Sequence, residues 1–174
     1  MAAETERLFF ALWPPTEVTA LLEQQLGAAL DGIKGRRVAT ERLHVTLAFL
    51  GDTPAEQRVC VEAAAARVHV EPFTLMLDRL GYFARPQVVW LGNQESPQTV
   101  GVLVGDLNAG LRGCGCAIDT RPFRTHITVM RKVRRKPDLP AIDPVRWDIE
   151  SFVLVRSELR PEGAHYEVVR RWAL

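Results

Sequence analysis

His44 is followed two residues later by Thr46 in the stretch LHVTLAFLG, residues 43–51. The same spacing returns 82 residues on, where THITVMRK, residues 125–132, carries His126 and Thr128. In a β-strand, side chains two apart share a face, with Cα atoms roughly 6–7 Å apart at ~3.3 Å rise per residue. His44 and Thr46 therefore project together while Val45 and Leu47 face the other way; His126 and Thr128 stand opposite Ile127 and Val129 in the same manner. Such alternation separates a wet, reactive face from a dry, packed one. Two imidazoles and two hydroxyls lining one groove suit metal-free phosphoryl transfer. Imidazole titrates near pH ~6.5, so one ring can take a proton while the other gives one. Threonine hydroxyls donate to the non-bridging phosphate oxygens. Arg131, three residues past Thr128, adds a permanently charged fork that fits a phosphate bidentately. Zinc chemistry fits less well, because His-x-Thr supplies one good ligand per strand. His69 and His165 lack a threonine two residues on and read as structural, the first at a helix end, the second on a surface strand.

The elements that must hold these residues follow from periodicity. Residues 7–13, RLFFALW, read as a strand stopped by Pro14-Pro15. Val18, Leu21, Leu22, Leu26, Ala29 and Leu30 keep helical spacing over 16–30. The first histidine strand spans 43–50. Thr53, Pro54 and Glu56 read as a capped helix start, and the alanine-rich helix runs over 54–69. Strands are expected at 72–80 and 87–92, and Ser96-Pro97 opens a third helix by the same device. The second histidine strand spans 122–130, and final strands at 148–156 and 165–172 flank the turn RPEG. Strand, helix and His-x-Thr strand thus occur twice, with 37 residues from Arg7 to His44 and 40 from Pro86 to His126. The pattern predicts a diverged duplication, an α+β fold of mostly antiparallel strands, and two pseudo-symmetric lobes within one domain over residues 1–174.

The chain of 174 residues is 47% hydrophobic with a formal charge of +1, which excludes a global polyanion-binding composition and leaves only local clusters. No stretch approaches the ~20 apolar residues of a membrane span. Glu4, Glu6 and Arg7 ahead of a short apolar run are unlike a signal peptide. Cys60, Cys114 and Cys116, odd in number and sparse, argue against a disulfide framework and for a reducing, cytoplasmic compartment. Cys114-Gly-Cys116 reads as a turn after a helix rather than a fragment of a metal site. RKVRRK, residues 131–136, holds five basic side chains in six, including Arg134 and Arg135. Lys34, Arg36 and Arg37 precede the other histidine strand. Together they predict a positive rim that contacts phosphates without reading sequence. Phe9, Trp13, Phe49 and Phe123 are stacking candidates, although aromatics on strands more often pack in a core.

The segments RLFFALWPP, LHVTLAFLG, RPQVVWLG, RPFRTHITVMRK and SELRPEGAHYEVVRRWAL resemble the RNA 2′,3′-cyclic phosphodiesterases, historically called 2′-5′ RNA ligases, within the two-histidine phosphoesterases. The resemblance runs from residue 7 to the C-terminus. It implies two antiparallel sheets in a V-shaped cleft with helices outside. It implies hydrolysis of an RNA terminal 2′,3′-cyclic phosphate to a 2′-phosphate, without cofactor or metal, and a reversible 2′-5′ joining. By motif, His44 resembles the proton donor to the departing 3′ oxygen, His126 the base that activates water, Thr46 and Thr128 the phosphate-holding threonines, and Arg131 the arginine that often follows. The partners implied are RNA 3′ ends bearing the cyclic phosphate, tRNA fragments among them, acted on by a monomer away from membranes. The chain departs from the pattern at Thr125, where a proline is usual, and at Val129-Met130. Two alternatives share the residues: a phosphodiesterase for small cyclic nucleotides, such as a cyclic phosphate of ADP-ribose, and an RNA-binding module with little catalysis.

Overall fold

The computed structural model describes residues 5–174, so the reading that involves Glu4 lies outside the described residues. Strand β1 (Thr5–Leu12) leads to helix α1 (Thr16–Ala29), the short β2 (Arg36–Arg37), a 3-10 turn (Thr40–Arg42) and β3 (Val45–Pro54). Helix α2 (Ala55–Ala65), β4 (Phe73–Leu77), β5 (Arg79–Phe83), β6 (Val88–Gly92) and α3 (Gln98–Gly113) follow. The chain closes with β7 (His126–Arg131), β8 (Val145–Ile149), β9 (Ser151–Arg160) and β10 (Gly163–Ala173). Eight strands form one sheet in the order β10-β9-β1-β3-β7-β6-β5, with β2 on β7, while β4 and β8 pair separately. Every pairing is antiparallel. The fold is α+β, as the periodicity predicts.

The long sheet consists of two halves joined at a narrow seam. β3 pairs with β1 and β7 with β6, whereas β3 and β7 share one register pair, Val45 with Ile127. Each of these residues directly follows its histidine, so equivalent positions of the two repeats meet. An antiparallel contact between equivalent positions is what a local two-fold axis produces, as in an isologous interface. Because the seam is one pair long, the rest of the two strands stays free to part into a cleft.

The two faces of this sheet differ. The main core takes Leu8, Phe10, Leu12, Val45, Leu47, Ile127 and Val129 from one face, packed with Leu22 and Leu26 of α1, Val61 and Ala65 of α2, and Leu103, Leu107 and Leu111 of α3. Helical spacing of those residues explains why each helix lies on the sheet along one stripe. The β4–β8 ribbon adds Leu75, Leu77, Val145, Trp147 and Ile149 to the same core. A small separate cluster of Phe9, Ala11, Val153 and Val155 occupies the other face.

Four sequence expectations need correction. The strand expected at 72–80 is two strands, β4 and β5, in different sheets; the chain breaks at Asp78, whose amide donates to the Gly92 carbonyl and whose carboxylate accepts from the Gln94 amide. The strand expected at 148–156 is likewise divided, at Glu150, between β8 and β9. The two helix caps are also absent. Thr53 stays in β3 opposite Glu6 and donates to the Gly51 carbonyl, and Ser96 donates to Asn93 Oδ1, so Pro54 and Pro97 start helices with no side-chain cap. The fourth concerns the cysteines: Cys60 and Cys114 form a disulfide, with Cα atoms 5.7 Å apart, and Cys116 alone is free.

The bond follows from helix packing. A Cβ on Gly110 of α3 would stand 2.9 Å from Ala64 Cβ of α2, so the helices touch there. Cys60 lies one turn before Ala64 and Cys114 one turn after Gly110, which in antiparallel helices brings the two together. The sequence concealed this, because only the meeting of two helix faces pairs these residues. The bond closes a loop with a sequence separation of 54 residues. Replacing both cysteines by serine, or adding reductant to the native chain, is expected to lower unfolding free energy by about 2–4 kcal/mol in denaturant titrations. Identical melts with and without reductant would contradict the pairing.

Candidate active site

His44 sits immediately before β3 and His126 opens β7. The seam register, extended one residue either way from Val45 and Ile127, sets His44 against Thr128 and Thr46 against His126. Val45 and Ile127 are fully buried, and the four polar residues lie on the opposite face, partly open to solvent. The proposed quartet therefore converges from two halves of the chain.

Both rings are held in the same way. Nδ1 of His44 is 2.6 Å from the Arg42 carbonyl, and Nδ1 of His126 is 2.7 Å from the Arg124 carbonyl. A carbonyl oxygen only accepts, so each Nδ1 carries the hydrogen. Each neutral ring then keeps its lone pair on Nε2, and each protonated ring offers Nε2–H as an acid. Nε2 of His44 lies 3.2 Å from Thr46 Oγ1, within the motif itself. The clamp to the carbonyl two residues back thus fixes tautomer and orientation in both repeats.

The surroundings of the rings differ. Trp13 stacks on His44 with centroids 5.3 Å apart and planes 9° apart, Phe9 leans on it at 5.0 Å, and Tyr166 meets it edge-on at 5.4 Å. These aromatics belong to, or pack against, the Phe9–Ala11–Val153–Val155 cluster, which continues the face of Thr46 through its partner Ala11. The His44 pKa is lowered to about 4, first by burial on this apolar floor and then by the charges of Arg131 and His126; the Arg42 carbonyl opposes the shift. In the free protein His44 is therefore neutral at pH 7.

His126 has a different wall. Phe83 meets it edge-on at 5.4 Å, and Trp90 packs on Phe83 at 5.3 Å. Cross-strand partners share a face, and the register runs His126 to Gly92, Thr128 to Trp90, Trp90 to Gly81 and Gly92 to Arg79. A Cβ on Gly81 would lie 2.0 Å from the Trp90 ring, and one on Gly92 2.7 Å from the Thr125 carbonyl and 3.0 Å from the same ring. Glycine at both positions lets the indole lie flat beside the motif. Thr125, in place of the usual proline, is buried, and its hydroxyl lies 3.4 Å from Ser96 Oγ.

The basic residues are placed unevenly. Arg131 is exposed, and its charge is felt at His44. Arg36 pairs across β2 and β7 with Arg131, so the two basic segments adjoin. Arg36 also donates to the Glu162 carbonyl, and Arg37 to the Gly27 carbonyl. Lys34, Arg134 and Arg135 are exposed in their loops. Among the described residues, none of Lys34, Arg36, Arg131, Arg134 and Arg135 has a carboxylate within salt-bridge range. Like charges opposite one another, as at Arg36 and Arg131, are unfavourable without an anion between them. His69 and His165 are exposed, after α2 and on β10 respectively. Phe49 is half exposed with Arg7 over its ring. No group of three or more His, Cys, Asp or Glu among the described residues could hold a metal ion, and no helix among them is long and apolar enough to cross a membrane.

Sequence reasoning missed Tyr166, Phe83 and Trp90. Tyr166 reaches His44 through the β9–β10 hairpin, which brings the C-terminal strand near β3, with β9 and β1 between them. Trp90 opposite Gly81 was legible in principle: a hairpin turning at 84–87 pairs Phe83 with Val88 and hence Gly81 with Trp90. A phosphate bound between the rings favours the protonated imidazole. NMR titration is expected to show His44 neutral down to about pH 4 in the free protein and titrating higher with inorganic phosphate bound. An unchanged His44 titration in saturating phosphate would contradict a shared anion site.

Comparison with known proteins agrees with this geometry. The family model of the 2′-5′ RNA ligase superfamily matches residues 13–161. The RNA 2′,3′-cyclic phosphodiesterase of Escherichia coli K12 is 33% identical over 174 residues, covering 99% of this chain and 98% of that protein. The RNA 2′,3′-cyclic phosphodiesterase of Thermus thermophilus is also 33% identical, over 97% of this chain and 90% of that one. The crystal structure of E. coli LigT complexed with 3′-AMP superposes with a TM-score of 0.92 at 33% identity, covering 98% of this chain and 99% of that one. With paired His-x-Thr strands meeting at one seam and a family match over most of its length, this chain belongs to the 2′-5′ RNA ligase superfamily.

Proposed function

We propose that this chain is an RNA 2′,3′-cyclic phosphodiesterase that opens a terminal cyclic phosphate to a 2′-phosphate. The observation that carries the reading is the Val45–Ile127 contact, which sets two identically clamped histidines on one face of the sheet. The relatives named above supply the substrate class. An exposed, carboxylate-free set of arginines and Lys34 supports an RNA strand as its bearer, and favours RNA 3′ ends, tRNA fragments among them, over a free cyclic nucleotide. We further propose that residues 1–174 work as a single bilobal domain, as a monomer and in the cytoplasm; since the Cys60–Cys114 bond removes the cysteine argument for a reducing compartment, the cytoplasmic reading rests on the bacterial relatives alone.

In the mechanism we assign, the phosphorus lies between the two Nε2 atoms. His126, neutral, takes a proton from water as the water oxygen bonds to phosphorus. The P–O3′ bond breaks, and His44 Nε2–H delivers a proton to the departing 3′ oxygen. Thr46, Thr128 and Arg131 hold the non-bridging oxygens, where negative charge accumulates. The neutral state of His44 in the free protein sets a condition on this assignment: the substrate phosphate must itself stabilise the acid form. Taken alone, that neutrality favours the opposite division, with His44 as base. A 2′-5′ joining activity is the same displacement with an RNA 5′-hydroxyl in place of water.

Incubation with an RNA ending in 2′,3′-cyclic phosphate, chelator present, is expected to yield a terminal 2′-phosphate; a 3′-phosphate or no reaction would overturn the proposal. Replacing His44 or His126 by alanine is expected to lower kcat by about 10²–10⁴-fold, with oligomer binding nearly intact. Retained turnover would refute the roles. Reversing charge at Arg134 and Arg135 is expected to weaken oligomer binding and to reduce the salt slope by about 1 for each phosphate no longer neutralised. An unchanged slope would remove these two residues from the binding rim.

A further inference from the structure

Beside His126 lies a cavity of about 280 Å³ lined by Arg79, Phe83, Trp90, Asn93, Phe123 and Arg124. It adjoins the reacting groups through Phe83, which packs edge-on against His126, and through Thr125, the residue before it. We propose that this cavity is a second nucleoside subsite, taking the nucleotide whose free 5′-hydroxyl replaces water in the joining reaction. The proposal rests on the division of labour given above, with His44 as donor and His126 as acceptor.

In an in-line displacement the attacking and leaving oxygens lie on opposite sides of phosphorus. The leaving 3′ oxygen is part of the substrate's own ribose, so that nucleoside lies on the His44 side, beside Trp13 and Tyr166. Whatever carries the attacking oxygen must then sit on the His126 side, next to this cavity. For water that space needs no walls. Yet it has three aromatic residues and two guanidiniums, and neither Arg79 nor Arg124 has a carboxylate partner among the described residues. Aromatic rings stack on a base of any identity, and guanidiniums donate to the phosphodiester on the 3′ side of the incoming residue. The glycines at 81 and 92 maintain the cavity wall by letting the Trp90 indole lie flat. In the step itself, the 5′ oxygen bonds to phosphorus and its proton passes to His126 Nε2. The P–O3′ bond breaks and O3′ takes the His44 proton, leaving a 2′-5′ phosphodiester with no other reactant.

The test uses the full chain and the variants Phe123→Ala and Arg79→Ala, the latter at an exposed position. An RNA ending in 2′,3′-cyclic phosphate is incubated with excess 5′-hydroxyl dinucleotide, and joined and hydrolysed products are quantified together. The native chain is expected to form joined product in proportion to the dinucleotide. Each variant is expected to lower the joined-to-hydrolysed ratio about tenfold while kcat/KM for hydrolysis stays within about twofold. An unchanged ratio overturns the inference. Hydrolysis falling in step with joining in both variants also overturns it, because the cavity would then hold the leaving nucleoside and the histidine roles would be reversed. Hydrolysis without any joined product from the native chain overturns the subsite and leaves the phosphodiesterase reading standing, whereas failure of hydrolysis itself overturns both.

Discussion

The contact of Val45 with Ile127 is the constraint on which the site depends. Both side chains are fully buried in the main core, so the β-strand alternation leaves their neighbours no choice of face. A slip of one residue in this register would turn one strand over, burying its histidine and exposing its β-branched anchor, Val45 or Ile127. The cost of losing the Ile127 anchor, about 2–5 kcal/mol for truncation of a buried isoleucine, helps keep two sequence-distant imidazoles together. The geometry of the candidate site is a by-product of core packing on the reverse side of the same two strands.

The seam is symmetric in backbone and asymmetric in environment. Both histidines use Nδ1 on the carbonyl two residues back. Only His44 rests on an apolar floor, under Trp13, Phe9 and Tyr166. That difference is the asymmetry on which the proposed division of roles draws. It also links the site to stability. Folding lowers the His44 pKa to about 4, so the unfolded chain binds a proton the native state refuses. This contribution to stability is complete above the ordinary histidine value and is lost as pH falls from there towards about 4. In the proposed mechanism a bound phosphate acts in the reverse direction on the same proton, which would let an apolar seat and the acid role assigned to His44 coexist.

Much of this was legible in the chain. The paired His-x-Thr spacing, the repeat of strand, helix and strand, and the burial of Val45, Leu47, Ile127 and Val129 all follow from periods of two and 3.6 residues, and the structure has each. Features that depend on which faces meet were not legible. Cys60 and Cys114 pair only because Gly110 and Ala64 let α2 and α3 touch. Tyr166 reaches His44 only because β10 folds back beside β9. Thr53 and Ser96 have the chemistry of helix caps, but the β1–β3 ladder and the Asn93 amide take their hydroxyl positions elsewhere. Local propensity there yields to tertiary pairing.

The most direct measurement is a crystal structure of the chain with a uridine–vanadate complex, whose five-coordinate metal centre mimics phosphorus in mid-displacement. The account predicts His44 Nε2 and His126 Nε2 on the two opposite apical oxygens, with the Thr46 and Thr128 hydroxyls on the equatorial ones. Vanadate held by one histidine alone, or by neither, would contradict the claim that both halves act on a single phosphate.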